Sequence, residues 1–358
     1  DFQDEQTLNR LVEIAGGGHV WHFNGFETSS EILQFFAQAS TQNLPDYSHL
    51  YRVNEMNYHV RTMGAAKDKP TLVLLSGPNY NFHSDSAWFS LLQPMLAEQY
   101  RVHVIDRLGN GYSEFSDKAS YQKLAEDLPE ILQVLNVNEV LLVGFSSSNI
   151  SSKLLVDSGR LPESVNVKGM VWIDPDILTD EAIAMYQGYP VTWYREKSAQ
   201  LQPYLASGAW TERTKNKLIT EKEEITALIN ESYQAMMDWS YFNDISERRQ
   251  LVTHQQTRAL EIAHFHDDLE LARQFEYSND IPISIIDTDF ERKDIANAQD
   301  DAQKQQLTAW MTQGTAWSQS ITSKTGGIYR AVEDADHLVM FQYPNVIVEV
   351  IEQTLALN

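Results

Sequence analysis

From Leu50 onward, short apolar runs rich in β-branched residues alternate with amphipathic stretches of helical period, and no other feature limits the fold as much. Residues 71–75, 101–105, 140–143 and 170–173 read as buried strands, and residues 88–96 and 124–135 place apolar side chains at helical spacing between them. Parallel neighbours need crossover connections, so this order predicts an α/β chain with a mostly parallel sheet and helices on both faces. Ligands of such a sheet sit beyond the carboxyl ends of its strands. Residues 50–53 and 58–63 precede the alternation as a hairpin. The alternation stops over residues 178–280, which are helical and dense in aromatics. It resumes with strand-like residues 281–286 and 327–332 and a closing helix at 346–355. The expected organisation is an N-terminal extension (1–48), a first core segment (49–177), a helical cap (178–280) and a second core segment (281–358).

At 358 residues the chain exceeds the usual size of one hydrophobic core, which agrees with a main domain carrying an insertion. A formal net charge of -23 repels nucleic acid and anionic bilayers, so a small-molecule substrate is the expected partner and nucleic acid is not. No apolar stretch approaches the roughly 18 residues of a membrane span. The absence of Cys excludes disulfides and thiolate metal sites without identifying a compartment. The chain opens at Asp1 and not Met; a processed leader, and with it a secreted or periplasmic origin, is one reading, and a trimmed chain is the other. In the extension, Leu8, Leu11, Val12 and Ile14 make a helical pattern broken by Gly16, Gly17 and Gly18. No strand precedes those glycines and no Gly-Lys-Ser/Thr follows, so they read as a turn and no nucleotide site is expected.

The chemistry concentrates at one junction. The strand at 140–143 runs into Gly144-Phe145-Ser146-Ser147-Ser148, with a helical stretch behind it. A sharp strand-to-helix turn of this kind lifts its central serine above the sheet as a nucleophile elbow, and it needs small residues two places to either side. Gly144 meets that need, whereas Ser148 adds a hydroxymethyl group. The competing reading is a serine-rich N-cap. His264 and His266 invite a metal site, but a helical spacing of two turns them to different faces, so no metal is expected.

From about Leu50 to the C-terminus the sequence resembles the α/β-hydrolase superfamily in several separate segments. Leu74-Leu75-Ser76-Gly77 is similar to its third strand and oxyanion turn. Residues 104–113, Val-Ile-Asp-Arg-Leu-Gly-Asn-Gly-Tyr-Ser, resemble its fourth strand and Asp-x-x-Gly-x-Gly-x-Ser loop. Residues 142–148 resemble its elbow, and Asp334-Ala335-Asp336-His337, followed by Pro344, its histidine loop. The resemblance implies the α/β-hydrolase fold with a lid after the sixth strand, Ser146 as nucleophile and His337 as general base. For the acid it points to Glu291, counted along the seventh strand, ahead of Asp289, with Asp287 and Asp294 in the same loop and Asp174 and Asp176 after the sixth strand as alternatives. Ser147 supplies one oxyanion N–H. Pro78 has none to give, so the second donor is expected from Gly77 or Asn79, with Asn79 the nearest candidate through its backbone or its side chain. The implied activity is cofactor-independent acyl transfer, on a carboxylic ester with an apolar group first and on amides or amino-terminal peptides second. An inactive ligand-binding homologue and a cofactor-free lyase or carbon–carbon hydrolase are the rivals.

Overall fold

The computed structural model describes residues 44–65 and 68–357. The helical pattern and the triple glycine read in the extension lie outside the described residues. Eight strands form one sheet in the order β1-β2-β4-β3-β5-β6-β7-β8. β1 (Ser48–Val53) and β2 (Met56–Met63) pair antiparallel, and Val53 faces Met56 across a two-residue turn. Asn54 (φ 46°) and Glu55 (φ 67°) close it in the left-handed region, the twist that suits a tight hairpin. From β3 (Thr71–Leu75) onward the sheet is parallel. β4 (Val102–Ile105) and β5 (Glu139–Phe145) flank β3, followed outward by β6 (Asn166–Ile173), β7 (Ile283–Thr288) and β8 (Tyr329–Val332). Strands buried on both faces should be apolar throughout, as residues 140–143 and 72–75 are.

The crossovers are α1 (Leu92–Ala97), α2 (Tyr121–Val134) and α3 (Asn149–Asp157). Ser120 caps α2 by accepting from the Lys123 N–H at 2.9 Å. Between β6 and β7 the helical stretch read from the sequence takes the form of α4 (Asp180–Tyr186), α5 (Val191–Ala206), α6 (Thr211–Leu228), α7 (Trp239–Arg248) and α8 (Val252–Ala272). α9 (Glu291–Ala296) and α10 (Asp301–Thr325) follow β7, and α11 (Val339–Gln342) and α12 (Pro344–Leu355) end the chain. On one face of the sheet Trp172 of β6 stacks on Trp317 of α10, with ring centroids 6.3 Å apart and planes 7° from parallel. Pro45–Asn358 form one compact unit.

A buried ionic cluster ties the helical insertion to the sheet. Arg249, between α7 and α8, grips Asp85 with two bonds of 2.6 and 2.8 Å and reaches Glu221 of α6 at 3.1 Å. His83 adds a bond to the same Glu221 carboxylate at 2.8 Å. All four side chains are buried. Burial alone pushes the Glu221 pKa up, but Arg249 and His83 outweigh it and hold the carboxyl below its ordinary range. Burial drives the His83 pKa down to about 4, so at neutral pH its imidazole is uncharged, and Nδ1–H donates to Glu221. Two further ion pairs, Arg61 with Asp238 and Arg107 with Glu261, bridge strand-end residues to the insertion.

Removing Arg249 leaves Asp85 and Glu221 as buried carboxylates without a cation. We expect Arg249→Ala to lower unfolding stability by about 3–5 kcal/mol in urea titration, the range for breaking a buried pair on one side. A loss below about 1 kcal/mol would mean that water reaches these carboxylates and that the insertion is held elsewhere.

Candidate active site

The turn from β5 into α3 presents Ser146. Its backbone lies in the left-handed region at φ 52°, which costs a non-glycine residue on the order of 1 kcal/mol or more and is retained where packing enforces it. Gly77 is part of that packing. A Cβ on it would stand 2.2 Å from the Phe145 carbonyl oxygen, 2.7 Å from the Ser147 nitrogen and 2.8 Å from Ser146 Cβ, so only glycine admits the elbow this close. Ser148, where a second glycine was the expected residue, points its hydroxyl away from the serine. Its Oγ–H is shared between the carbonyls of Leu75 at 2.7 Å and Phe145 at 2.8 Å, so the extra group binds the elbow to β3.

The Asp106–Ser113 loop at the end of β4 supports the same end of the sheet. Asp106 accepts from the Ser86 N–H and Oγ–H, both at 2.7 Å, and from His59 Nδ1 at 2.6 Å. Gly111, at φ 52°, packs so tightly there that a Cβ would meet Asp106 Oδ2 at 2.0 Å.

His337 lies in the loop between β8 and α11, with its ring 4.8 Å from that of Phe145 and 5.0 Å from that of Phe290. The carboxylate it touches is Asp174. His337 Nδ1 bonds Asp174 Oδ2, and the other Asp174 oxygen accepts from the Thr288 N–H at 3.2 Å. Asp174 directly follows β6 and has a left-handed backbone, φ 49°, with its own N–H bonded to the Ile286 carbonyl of β7 at 2.7 Å. Pairing of β6 with β7 therefore aims it at the histidine. His337 Nε2 lies 3.3 Å from the Pro78 carbonyl oxygen. Burial pushes the His337 pKa down, but Asp174, through charge and hydrogen bond, and the Pro78 carbonyl push it up, and the net result is raised.

Glu291, the acid expected first, is not the carboxylate that His337 touches. Counting along the seventh strand places Glu291 near His337, but as the first residue of α9 it makes no bond to the imidazole, and its Oε2 is buried without a hydrogen-bond partner. Burial, with the Asp174 charge second, raises its pKa to about 7. Asp289 is engaged by the Ala335 N–H at 3.0 Å and by Arg292 at 2.8 Å. Asp287 accepts from the Tyr329 hydroxyl at 2.8 Å, and Asp294 is exposed. Asp176 is at the site without touching His337; burial raises its pKa to about 6, against a hydrogen bond from the Ser147 side chain.

Asn79 is largely engaged in the turn. Its backbone N–H donates to the His83 carbonyl at 3.0 Å, and its side-chain amide donates one N–H to Glu221 at 3.1 Å while accepting from the N–H groups of Asn81 and His83. The Gly77 N–H, beside the elbow, makes no hydrogen bond to any described residue. As for the rejected metal pair, His264 bonds the Ala119 carbonyl at 2.9 Å and His266 pairs with Asp267 at 3.1 Å.

Two cavities meet at Ser146 and Pro78. One, of about 730 Å³, is lined by Asp174, His337, Glu291 and Trp310; the other, of about 300 Å³, lies against Tyr186, Tyr189, Arg258 and Phe265 of the insertion. Among the aromatics of the insertion, Tyr186, Tyr189 and Phe265 line the smaller cavity, whereas Trp193, Tyr194 and Trp210 pack on one another. Serine, histidine and carboxylate side chains gathered beyond the strand ends, with free N–H groups beside the serine, can perform nucleophilic acyl transfer.

Among solved structures the fold is similar to that of an α/β hydrolase fold protein from Burkholderia ambifaria, with a TM-score of 0.59 and 17% identity over 87% of this chain and 99% of the other. Among curated proteins, residues of this chain are 28% identical over 142 positions to an sn-1-specific diacylglycerol lipase of Xenopus tropicalis, covering 39% of this chain and 43% of that protein. They are 31% identical over 118 positions to the magnesium-chelatase 30 kDa subunit of Rhodobacter capsulatus, covering 32% and 40%. The chain thus spans less than half the length of the curated relatives it matches. The model of the Alpha/beta hydrolase family matches residues 72–350, which takes in the elbow, Asp174, the helical insertion and His337, and the chain belongs to that family.

Proposed function

We propose that this chain is a serine hydrolase acting by acyl transfer on a carboxylic ester, with Ser146 as nucleophile, His337 as general base and Asp174 as the acid that orients it. The observation that most supports this reading is the bond from His337 Nδ1–H to Asp174 beside a cavity that Ser146 also lines. In the mechanism, Nε2 of neutral His337 takes the Ser146 proton as Oγ attacks the substrate carbonyl. Asp174 holds the imidazole in the Nδ1–H tautomer and stabilises the imidazolium. The tetrahedral oxyanion accepts from the Ser147 N–H at the start of the helical turn and from the Gly77 N–H. The imidazolium then protonates the leaving alcohol, and water, deprotonated by the same His337, releases the acyl group. Asp176, held by the Ser147 side chain, and Glu291 border the reacting centre without touching the base.

Ser146→Ala should lower turnover of p-nitrophenyl esters by several orders of magnitude, on the order of 10⁶-fold when the serine of a triad is deleted, while substrate binding persists. A fluorophosphonate should label the wild-type chain at Ser146. A folded wild-type chain that stays unlabelled and turns over no ester would favour a binding protein instead.

Asp174→Asn should cost on the order of 10⁴ in turnover, because an amide reverses the tautomer of His337. Glu291→Gln should cost about 5-fold or less, the equivalent of about 1 kcal/mol, since it bonds neither His337 nor any other described residue. The opposite ranking would return the acid to the position after β7.

The base works only when neutral, and its pKa is raised. The acid limb of the kcat/KM profile should therefore have its midpoint above the ordinary histidine value of about 6.5, and turnover should fall as pH drops through it. In Asp174→Asn, which lacks the charge that favours imidazolium, the limb should move to lower pH. A midpoint below about 6 in the wild type would contradict this.

A further inference from the structure

Arg258, on α8, lines the smaller cavity together with Ser146 and Ser147. The rest of that lining is largely apolar, with Met185, Tyr186, Val191, Ile262 and Phe265 around it. A guanidinium removed from water normally holds a carboxylate. No carboxylate lies within 4.0 Å of Arg258 among the described residues. Its one hydrogen bond, of 2.9 Å, goes from Nη1 to Nε2 of His83, the nitrogen that His83 leaves free by donating from Nδ1 to Glu221, and its guanidinium carbon sits 5.0 Å over the Trp210 ring.

The neighbouring acids are occupied by other cations. Glu221 and Asp85 are both held by Arg249. Glu261, which also lines the cavity, accepts from Arg107 at 2.8 Å and from Asn110 at 3.1 Å. Four of the five N–H groups of Arg258 thus have no partner among the described residues, and its nitrogens are not among the sealed, unpartnered atoms of the interior. Arg258 is half-buried, and these groups are open to the cavity it lines or to the solvent beside it.

Two more cations lie close by. Arg213 and Lys217 stand one turn apart on α6, line an outer cleft with Tyr80 and Asn81, and have no carboxylate within 4.0 Å among the described residues. Their proximity is registered in the charges themselves. Burial, then the balance of its neighbours with Arg213 opposing protonation, takes Arg258 down to about 10, and burial, Arg258 and Arg213 lower Lys217. In a chain of net charge -23, three cations that no carboxylate touches within 4.0 Å among the described residues stand close together here, and Arg258 brings one of them to the cavity that Ser146 lines, where it can attract an anion although Asp176 and Glu261 also line that cavity.

We propose that Arg258 is the specificity-determining residue for a carboxylate on the substrate, so that the ester hydrolysed at Ser146 belongs to a short acid bearing a second, free carboxyl group. A planar guanidinium with several open N–H groups matches a carboxylate in bidentate fashion. The negative charges of Asp176 and Glu261 on the same lining disfavour a dianion such as a phosphate monoester more than a monoanion. The free carboxylate sits on Arg258 while the ester carbonyl lies at Ser146, both within a cavity of about 300 Å³, which limits the chain between them to a few carbons.

The proposal rests on the serine-hydrolase reading only for turnover, and its test separates the two. In the wild-type chain, kcat/KM for mono-p-nitrophenyl glutarate should exceed that for p-nitrophenyl methyl glutarate by on the order of 10- to 100-fold, the range of one charge-assisted hydrogen-bonded contact. Arg258→Gln should bring the ratio to about 1 or below, and Arg258→Lys, which keeps the charge and is the milder change, should retain part of it. A ratio at or below 1 in the wild type, or one unchanged in both variants, overturns the proposal. Calorimetric titration of Ser146→Ala with monomethyl glutarate and with dimethyl glutarate gives the same comparison without chemistry. If the wild type hydrolyses neither ester, the hydrolase reading fails, and tighter binding of the anion, lost on adding Arg258→Gln, still decides for or against the carboxylate site.

Discussion

The close contact between Gly77 and the elbow is the constraint from which the site is built. β3 is flanked by β5, with Leu75 opposite Gly144, so the two chains leave the sheet side by side at their carboxyl ends. Only a hydrogen at the Gly77 α-carbon lets the β3 turn lie against Phe145 and Ser147 while Ser146 stays in its left-handed conformation. Ser148 reinforces the arrangement by bonding the β3 and elbow carbonyls with its hydroxyl. The strain at the serine is offset by packing at its neighbours, which is the usual balance at a functional turn.

The histidine and its carboxylate depend on the other half of the sheet. Asp174 leaves β6 with its N–H on β7, and His337 arrives on the loop after β8, so the bond between them needs three neighbouring strands in register. Placing the acid after β6 leaves the position after β7 unused for that purpose. Glu291 stands there with a pKa raised to about 7, because burial and the Asp174 charge disfavour a second anion. Two carboxylates near one imidazole are tolerated because the raised pKa of Glu291 favours its protonated, neutral form beside the Asp174 anion.

Buried charge joins the helical insertion to the core beside an apolar cluster in which Ile183, Leu269 and Ala272 pack with Tyr121, Ala125, Ile150 and Leu154. Arg249 neutralises Asp85 from the sheet side and Glu221 from α6, and His83 passes a hydrogen bond from that cluster to Arg258 in the smaller cavity. A neutral imidazole between two charged groups lets one nitrogen donate and the other accept, which the downward shift of His83 to about 4 maintains at neutral pH. The same ionic cluster that anchors the insertion thus also orients a guanidinium toward the serine.

Much of the fold was legible in the sequence, because strand and helix periods are local properties: residues 71–75, 140–143 and 170–173 fall within observed strands, and the helical stretch after residue 178 is helical. The elbow was legible for the same reason, since its strand, turn and helix are contiguous. The acid was not. Asp174 and Asp176 follow β6, and Asp287, Asp289, Glu291 and Asp294 lie at or just after the end of β7, so nothing local distinguishes Asp174 until β6 and β7 pair and the β8 loop brings His337 across. The partner of the Asn79 amide was hidden for a similar reason, because it is Glu221, 142 positions away in sequence. Arg107, Arg249 and Arg258 look alike in the chain; tertiary packing gave carboxylates to the first two and only an imidazole nitrogen to the third, since pairing of buried charge is settled by distance in space and not by spacing along the chain.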